Sequence, residues 1–227
     1  MGTITTWVED RDQATARWAE LPEVAQALDA GADPAVASAA LQRLARHTPD
    51  AEGLYLTDGD GDVIAADNPA VVGELSLAER PYLQECLRTG QTTFSRLIRS
   101  KASGNAVLAI CQPVGRGGAL VTAMDLGHLT EQVIDPIALG ETGYAYVVDS
   151  EGTIVAHPDR DLILDLDITQ WDWGQDMLAQ GQGVLPYEFR GTDKHAVFQG
   201  YDRLGWTVAL TVDDAQYYAA AENIRNL

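Results

Sequence analysis

Tyr55-Leu-Thr-Asp58-Gly-Asp-Gly61-Asp-Val63-Ile64-Ala65 reads as an apolar strand, a tight Asp/Gly turn and a second apolar strand. The same reading fits Tyr146-Val-Val-Asp149-Ser-Glu-Gly152-Thr-Ile154-Val155-Ala156, which begins 91 positions later. A second echo follows in the same chain order. Ala119-Leu-Val-Thr-Ala-Met-Asp125 matches Thr207-Val-Ala-Leu-Thr-Val-Asp213 at an offset of 88, each a strand closed by an Asp. Length, turn position and order agree, so the chain is expected to use one α+β module twice. Function is then to be sought where the copies differ.

Working outward, residues 3 to 29 carry Ile4, Trp7, Arg11, Ala14, Trp18 and Leu21 at alternating spacings of three and four, a heptad stripe broken only by Arg11. Such a stripe packs on a partner helix or along its own domain. Pro22 kinks or restarts the helix and Gly31 closes it, after which Asp33-Pro34 caps a second helix to about Arg46. Beyond the hairpin, Ser76-Leu-Ala-Glu79 has a capping-box pattern for a short helical turn. Pro81 pushes Arg80 out of the helical region, so the next helix runs from Pro81 to Gly90 with Leu83, Cys86 and Leu87 on one face. Strands are expected over 92–101, 106–113 and 119–125, then a connecting helix from Leu126 to Ile137. The second round reads as a hairpin over 144–157, a helix near 171–179 and strands over 183–189, 196–201 and 206–212. A final helix capped by Asp213 or Asp214 runs to Leu227. This order suits antiparallel sheets flanked by helices. The expected division is a helical stalk (1–50), two modules (51–126 and 127–213) and a C-terminal helix (214–227).

The net charge of −19, from 34 acidic and 15 basic residues, argues against nucleic acid and against docking on anionic lipid. No apolar run approaches the roughly 18 residues of a membrane span, so membrane contact is expected only through segments outside this sequence. Cys86 and Cys111 have neither CxxC spacing nor a His/Cys cluster, which disfavours a zinc or redox site and leaves two buried thiols or one disulfide.

Taken together, the chain resembles the extracytoplasmic double Cache sensor domains of bacterial transmembrane receptors. The resemblance rests on the long N-terminal helix, Leu54-Tyr-Leu-Thr-Asp58 to Ile64-Ala-Ala66, Arg80-Pro-Tyr-Leu-Gln-Glu85 and Ser100-Lys-Ala-Ser-Gly104. Further on it includes Gln112-Pro-Val114, Thr142-Gly-Tyr-Ala-Tyr-Val-Val-Asp149, Ala156-His-Pro158 and Gly205-Trp-Thr207. It implies two stacked PAS-like modules, with a small ligand held in the membrane-distal one. Carried over by position, Arg80 would pair a ligand carboxylate bidentately, with Tyr82 as its aromatic neighbour. Ile98 and Ser100 stand where the family's ammonium-binding Tyr and Asp are expected, and Asp125 fills the final acidic place. The carboxylate half survives and the ammonium half is weakened, so a small mono- or dicarboxylate is expected at least as much as an amino acid. Arg96, on the strand face of Ile98 and Ser100, is a candidate for a second acid group. Plainer alternatives stand beside each: Arg80 bridging nearby acids, Tyr82 as core, Asp125 capping the helix from Leu126, Arg96 solvated.

Asp58, Asp60 and Asp62 fail as a calcium loop, because Val63 and Pro69 stand where Gly and Glu are required. His128 between Asp125 and Glu131 names too few ligands for a metal, and His157-Pro158-Asp159 reads as a strand exit. Neither GxSxG nor a phosphate-binding glycine loop occurs. The expectation is a non-enzymatic, extracytoplasmic (periplasmic) ligand-sensing domain of a chemotaxis receptor or sensor kinase. It carries no metal or cofactor, partners a small carboxylate or amino acid, and forms a weak homodimer through the N-terminal helix. The alternative is an interaction module that senses through a solute-binding protein.

Overall fold

The computed structural model describes residues 2–115 and 117–225, with side chains described for 4–115 and 117–219. The helix end expected at Leu227 lies outside the described residues. Two compact units divide between Asp125 and Leu126.

In the first unit, helices α1 (Gly2–Ala19), α2 (Pro22–Ala25) and α3 (Pro34–Ala45) precede the hairpin β1 (Ala51–Thr57) and β2 (Val63–Ala66). Helix α4 (Pro81–Thr89) and strands β3 (Thr93–Phe94), β4 (Ile98–Arg99), β5 (Ala106–Val114) and β6 (Gly118–Asp125) complete it. The first helix does not reach residue 29. Leu21, preceding Pro22, sits extended at φ −60° and ψ 134°, so the helix breaks there and restarts. Asp33 caps α3 by accepting from the Ala35 amide at 2.9 Å. The helical turn expected over Ser76–Glu79 does not form. Ser76 is held extended by a β-bridge to Asp62, and its hydroxyl serves only the Ala78 amide of a tight turn. The strand expected over 92–101 is broken into β3 and β4, both paired with β5.

The antiparallel sheet runs β2-β1-β6-β5-β3, with β4 also on β5. Both faces are covered, because alternate β1 side chains point to opposite sides. Leu54, Leu56 and Leu120 pack with Val24 and Leu41 of the N-terminal helices, while Tyr55 and Val121 pack with Leu83 and Cys86 of α4. Segment 1–50 thus lies on this sheet rather than standing apart as a stalk. Ile4, Trp7 and Ala14 of the heptad stripe are buried, and α1 packs on β5 and β6 of its own module. Arg11 interrupts the stripe for an electrostatic reason. Asp50 is 1% exposed and accepts from Arg11 Nε at 2.6 Å and from Trp7 Nε1 at 3.0 Å. A buried carboxylate needs such partners. Cys86 and Cys111 are free and buried, their thiols hydrogen-bonded to each other.

The second unit opens with α5 (Leu126–Leu129), which continues as a π-helical segment Thr130–Ile134 and stops short of Pro136. Strands β7 (Ala138–Leu139), β8 (Gly143–Val148) and β9 (Ile154–Ala156) lead to α6 (Asp172–Gln180). Strands β10 (Gln182–Phe189), β11 (Thr192–Tyr201) and β12 (Trp206–Asp213) and helix α7 (Asp214–Arg225) follow. The antiparallel order β10-β11-β12-β8, with β9 and β7 on β8, repeats that of the first sheet. The offset of 91 extends well beyond the hairpin. Gly61 and Gly152 share positive φ (88° and 92°), and the bridge Asp62–Ser76 recurs as Thr153–Asp167. Helix α4 recurs as α6, and the left-handed caps Gly90 and Gly181 close both.

Candidate ligand-binding site

A cavity lies on the α4 face of the first sheet. Its walls are Tyr55, Arg80, Tyr82, Ile98, Ser100 and Lys101, and the small side chains Ala109 and Ala123 leave room above the strands. It spans about 320 Å³ including its mouth and the open solvent there.

Arg80 is placed by its neighbour. Pro81 begins α4 and forces Arg80 to φ −79° and ψ 119°, a half-buried N-cap position with no side-chain cap. Its Nη2 donates to the Arg99 carbonyl at 3.1 Å, while Nε is buried without a partner. A desolvated guanidinium N–H without an acceptor is costly, and a carboxylate would satisfy it with a charge-assisted bond. Lys101 donates to the Ser76 carbonyl at 3.0 Å on the same wall.

The opposite charge comes from β1. Ser100 Oγ donates to Glu52 Oε1 at 2.5 Å, and Glu52 Oε2 is buried without a partner. Glu52 is the extra residue of a β-bulge: Ala51 pairs with Met124 and Gly53 with the next residue, Ala123. Strict alternation would turn Glu52 away from the Tyr55 side; the bulge re-aims it. Gly53 is needed beside it, since a Cβ there would fall 2.2 Å from the Tyr55 hydroxyl. Burial holds both phenols, Tyr55 and Tyr82, well above their ordinary pKa, and Glu52 and Asp67 add to the effect at Tyr55. Both rings are therefore neutral hydrogen-bonding groups. The arrangement offers cationic N–H donors at one wall, a carboxylate behind Ser100, and aromatic surface between them.

The Cache domain model matches residues 2–221, nearly the whole chain. The chain belongs to the Cache domain family. The methyl-accepting chemotaxis protein PctB of Pseudomonas aeruginosa is 27% identical over 179 residues, 75% of this chain and 28% of that protein. This sequence thus spans about a quarter of the length of the curated relatives it matches. Among solved structures, the ligand-binding domain of PctB in complex with L-Gln has a TM-score of 0.70 at 23% identity, covering 96% of this chain and 88% of that one. The extracellular domain of a putative histidine kinase, rpHK1S-Z16, has a TM-score of 0.76 at 17% identity, covering 95% and 90%. These similarities show the tandem fold.

Within this Cache domain, Arg80, Tyr82, Ile98 and Ser100 line one cavity. Asp125 and Arg96 are not on its walls. Asp125 ends β6 two residues past Ala123, so it extends the same face, and Asn105 Nδ2 lies 3.4 Å from its carboxylate. Arg96 is exposed, in the irregular stretch between β3 and β4, so no strand face carries it with Ile98 and Ser100. The sequence reading missed Tyr55, Lys101 and Glu52. The one hint of Glu52 was the glycine that follows it inside a strand. Among the described residues, no cluster of three or more metal-ligating side chains occurs.

Proposed function

We propose that this chain is the extracytoplasmic ligand-sensing domain of a transmembrane signalling receptor, a chemoreceptor or sensor kinase, and takes a small amino acid or carboxylate in its first module. The observation that carries this reading is the pair of buried, unpartnered polar atoms at one cavity, Arg80 Nε and Glu52 Oε2. Arg80 would hold the ligand carboxylate, with Lys101 adding positive charge. Glu52, Ser100 and, along the same sheet face, Asp125 would accept from an ammonium group, which needs up to three acceptors. Tyr55 and Tyr82 would cover the aliphatic part. Finding Glu52 moves the preference toward amino acids over simple carboxylates, and the relative bound to L-Gln supports the same class.

No catalytic step is assigned. Among the described residues no helix is long and apolar enough to cross a membrane. Ligand would act by shifting a population between arrangements of the module, with α1 and α7 as the relaying helices. Weak pairing of two copies along α1 would use its outer face around Glu9, Gln13 and Glu20, because the apolar stripe is buried on its own sheet.

The test is calorimetric titration of the twenty amino acids and a set of small mono- and dicarboxylates. The reading expects at least one ligand whose binding disappears in Arg80→Ala. Binding that survives Arg80→Ala unchanged, or an absence of binding across both sets, sinks it.

A further inference from the structure

The second module holds a cavity beneath the equivalent helix, and its chemistry is different. It spans about 250 Å³ including its mouth and is walled by Tyr144, Tyr146, His157, Trp173, Tyr187 and Phe189, with aliphatic side chains between them. By the offset of 91, Trp171 and Trp173 stand where the first module has Arg80 and Tyr82, and His157 stands for Ala66. The rings form a connected box. Trp173 lies 4.6 Å from Tyr187 and stacks on Trp171 at 5.4 Å, and His157 meets Tyr144 edge-on at 5.1 Å.

One N–H group in this box, Trp173 Nε1, is buried without a partner. His157 Nδ1 accepts from the Asp159 amide at 2.8 Å, so the neutral imidazole carries its proton on Nε2. Burial keeps the ring neutral, lowering its pKa to about 4. The hydroxyls are largely occupied: Tyr187 bonds Thr211 at 2.8 Å, and Tyr146 lies on Met177 Sδ at 3.8 Å. The charges nearest the box are paired off, Lys194 with Asp213 and Arg190 with Asp159. The walls therefore carry aromatic faces, one unpartnered hydrogen-bond donor and no formal charge.

We propose that this box is a second binding site, for an uncharged planar ring bearing a hydrogen-bond acceptor. An anion or cation entering it would lose hydration without meeting a counter-charge on the walls. A quaternary ammonium could use the ring faces but has no acceptor for Trp173. Trp173 and Tyr187 are already in contact at 4.6 Å, so a flat ring would lie against the aromatic walls at the mouth of the box, where a carbonyl or ring nitrogen would take the Trp173 N–H. Occupancy would brace α6 against its sheet, giving the second module an input independent of the first.

Nicotinamide, an uncharged ring with a carbonyl acceptor, is the first probe, followed by benzamide and uracil, each titrated calorimetrically into the chain. One-site binding with a dissociation constant of about 1 mM or tighter is expected for at least one probe. Trp173→Phe keeps an aromatic face but removes the donor and part of the ring, and should weaken binding about tenfold while circular dichroism stays unchanged. Arg80→Ala should leave probe binding intact, which separates this site from the one in the first module. No binding by any of the three probes, affinity indifferent to Trp173→Phe, or preferential binding of tetramethylammonium overturns the proposal.

Discussion

In the first module the helix after the hairpin begins Arg80-Pro81-Tyr82; in the second, 91 positions on, it begins Trp171-Asp172-Trp173. Backbone, cap and sheet order are shared, so the contrast isolates what side chains alone change. The first cavity sets a guanidinium and a bulged glutamate around small strand residues, leaving Arg80 Nε and Glu52 Oε2 unsatisfied. The second fills the same place with rings and keeps its one titratable imidazole neutral. A polar, incompletely paired cavity favours a charged occupant because the occupant relieves a desolvation cost. An aromatic one gains little from charge and discriminates by shape. Duplication preserved the scaffold and let the recognition chemistry diverge.

Acid should separate the modules most strongly. His157 has its folded pKa lowered to about 4 from 6.5, so the unfolded chain binds its proton first as pH falls. The stability this group secures above pH 6.5 is lost progressively on the way down to about pH 4, a loss of about 3 kcal/mol. Denaturant melts across that range should show a steeper decline for the native chain than for His157→Gln; equal slopes would mean His157 is charged in the fold. Next, Arg80→Ala should weaken an amino-acid ligand about a hundredfold or more in titration, the scale of a lost bidentate charge-assisted contact. Glu52→Gln should cost about tenfold for a ligand with an ammonium group and leave an ammonium-free carboxylate unchanged. That split, measured on the same preparation, tests whether the bulged glutamate sets the preference. The smallest difference concerns the paired turn glycines. Gly61→Ala drives a Cβ to 2.6 Å from the Ala78 Cα, whereas Gly152→Ala meets the Thr169 methyl at the same distance. Both adopt positive φ, so both substitutions destabilise, Gly61→Ala by about 1 kcal/mol more because backbone cannot swing aside as a side chain can. Thermal melts of the two variants would reveal it.

The elements legible in the sequence were those with local causes. Proline after Leu21, Asp33-Pro34 and Arg80-Pro81 marked real boundaries, because proline constrains the residue before it wherever it stands. The hairpin repeat announced the duplication because turn chemistry at Asp58–Gly61 and Asp149–Gly152 is short-range. Reading failed where a distant partner decided. Ser76 had a helix-capping pattern, yet Asp62 drew it into a β-bridge. Arg11 looked like a fault in an apolar stripe until Asp50 appeared beside it.

The sequence by itself determined a duplicated α+β chain, its helix starts, its acidic surface and the arginine of its first cavity. All of these rest on periodicity, turn residues and single-residue chemistry, which act within a few positions. Only the tertiary structure decided that Glu52 joins that arginine, that α1 spends its stripe on its own sheet, and that Trp173 and His157 share an aromatic box. Each of these depends on a bulge, on burial or on strands brought together from far apart in the chain, and alternation within one strand cannot encode them.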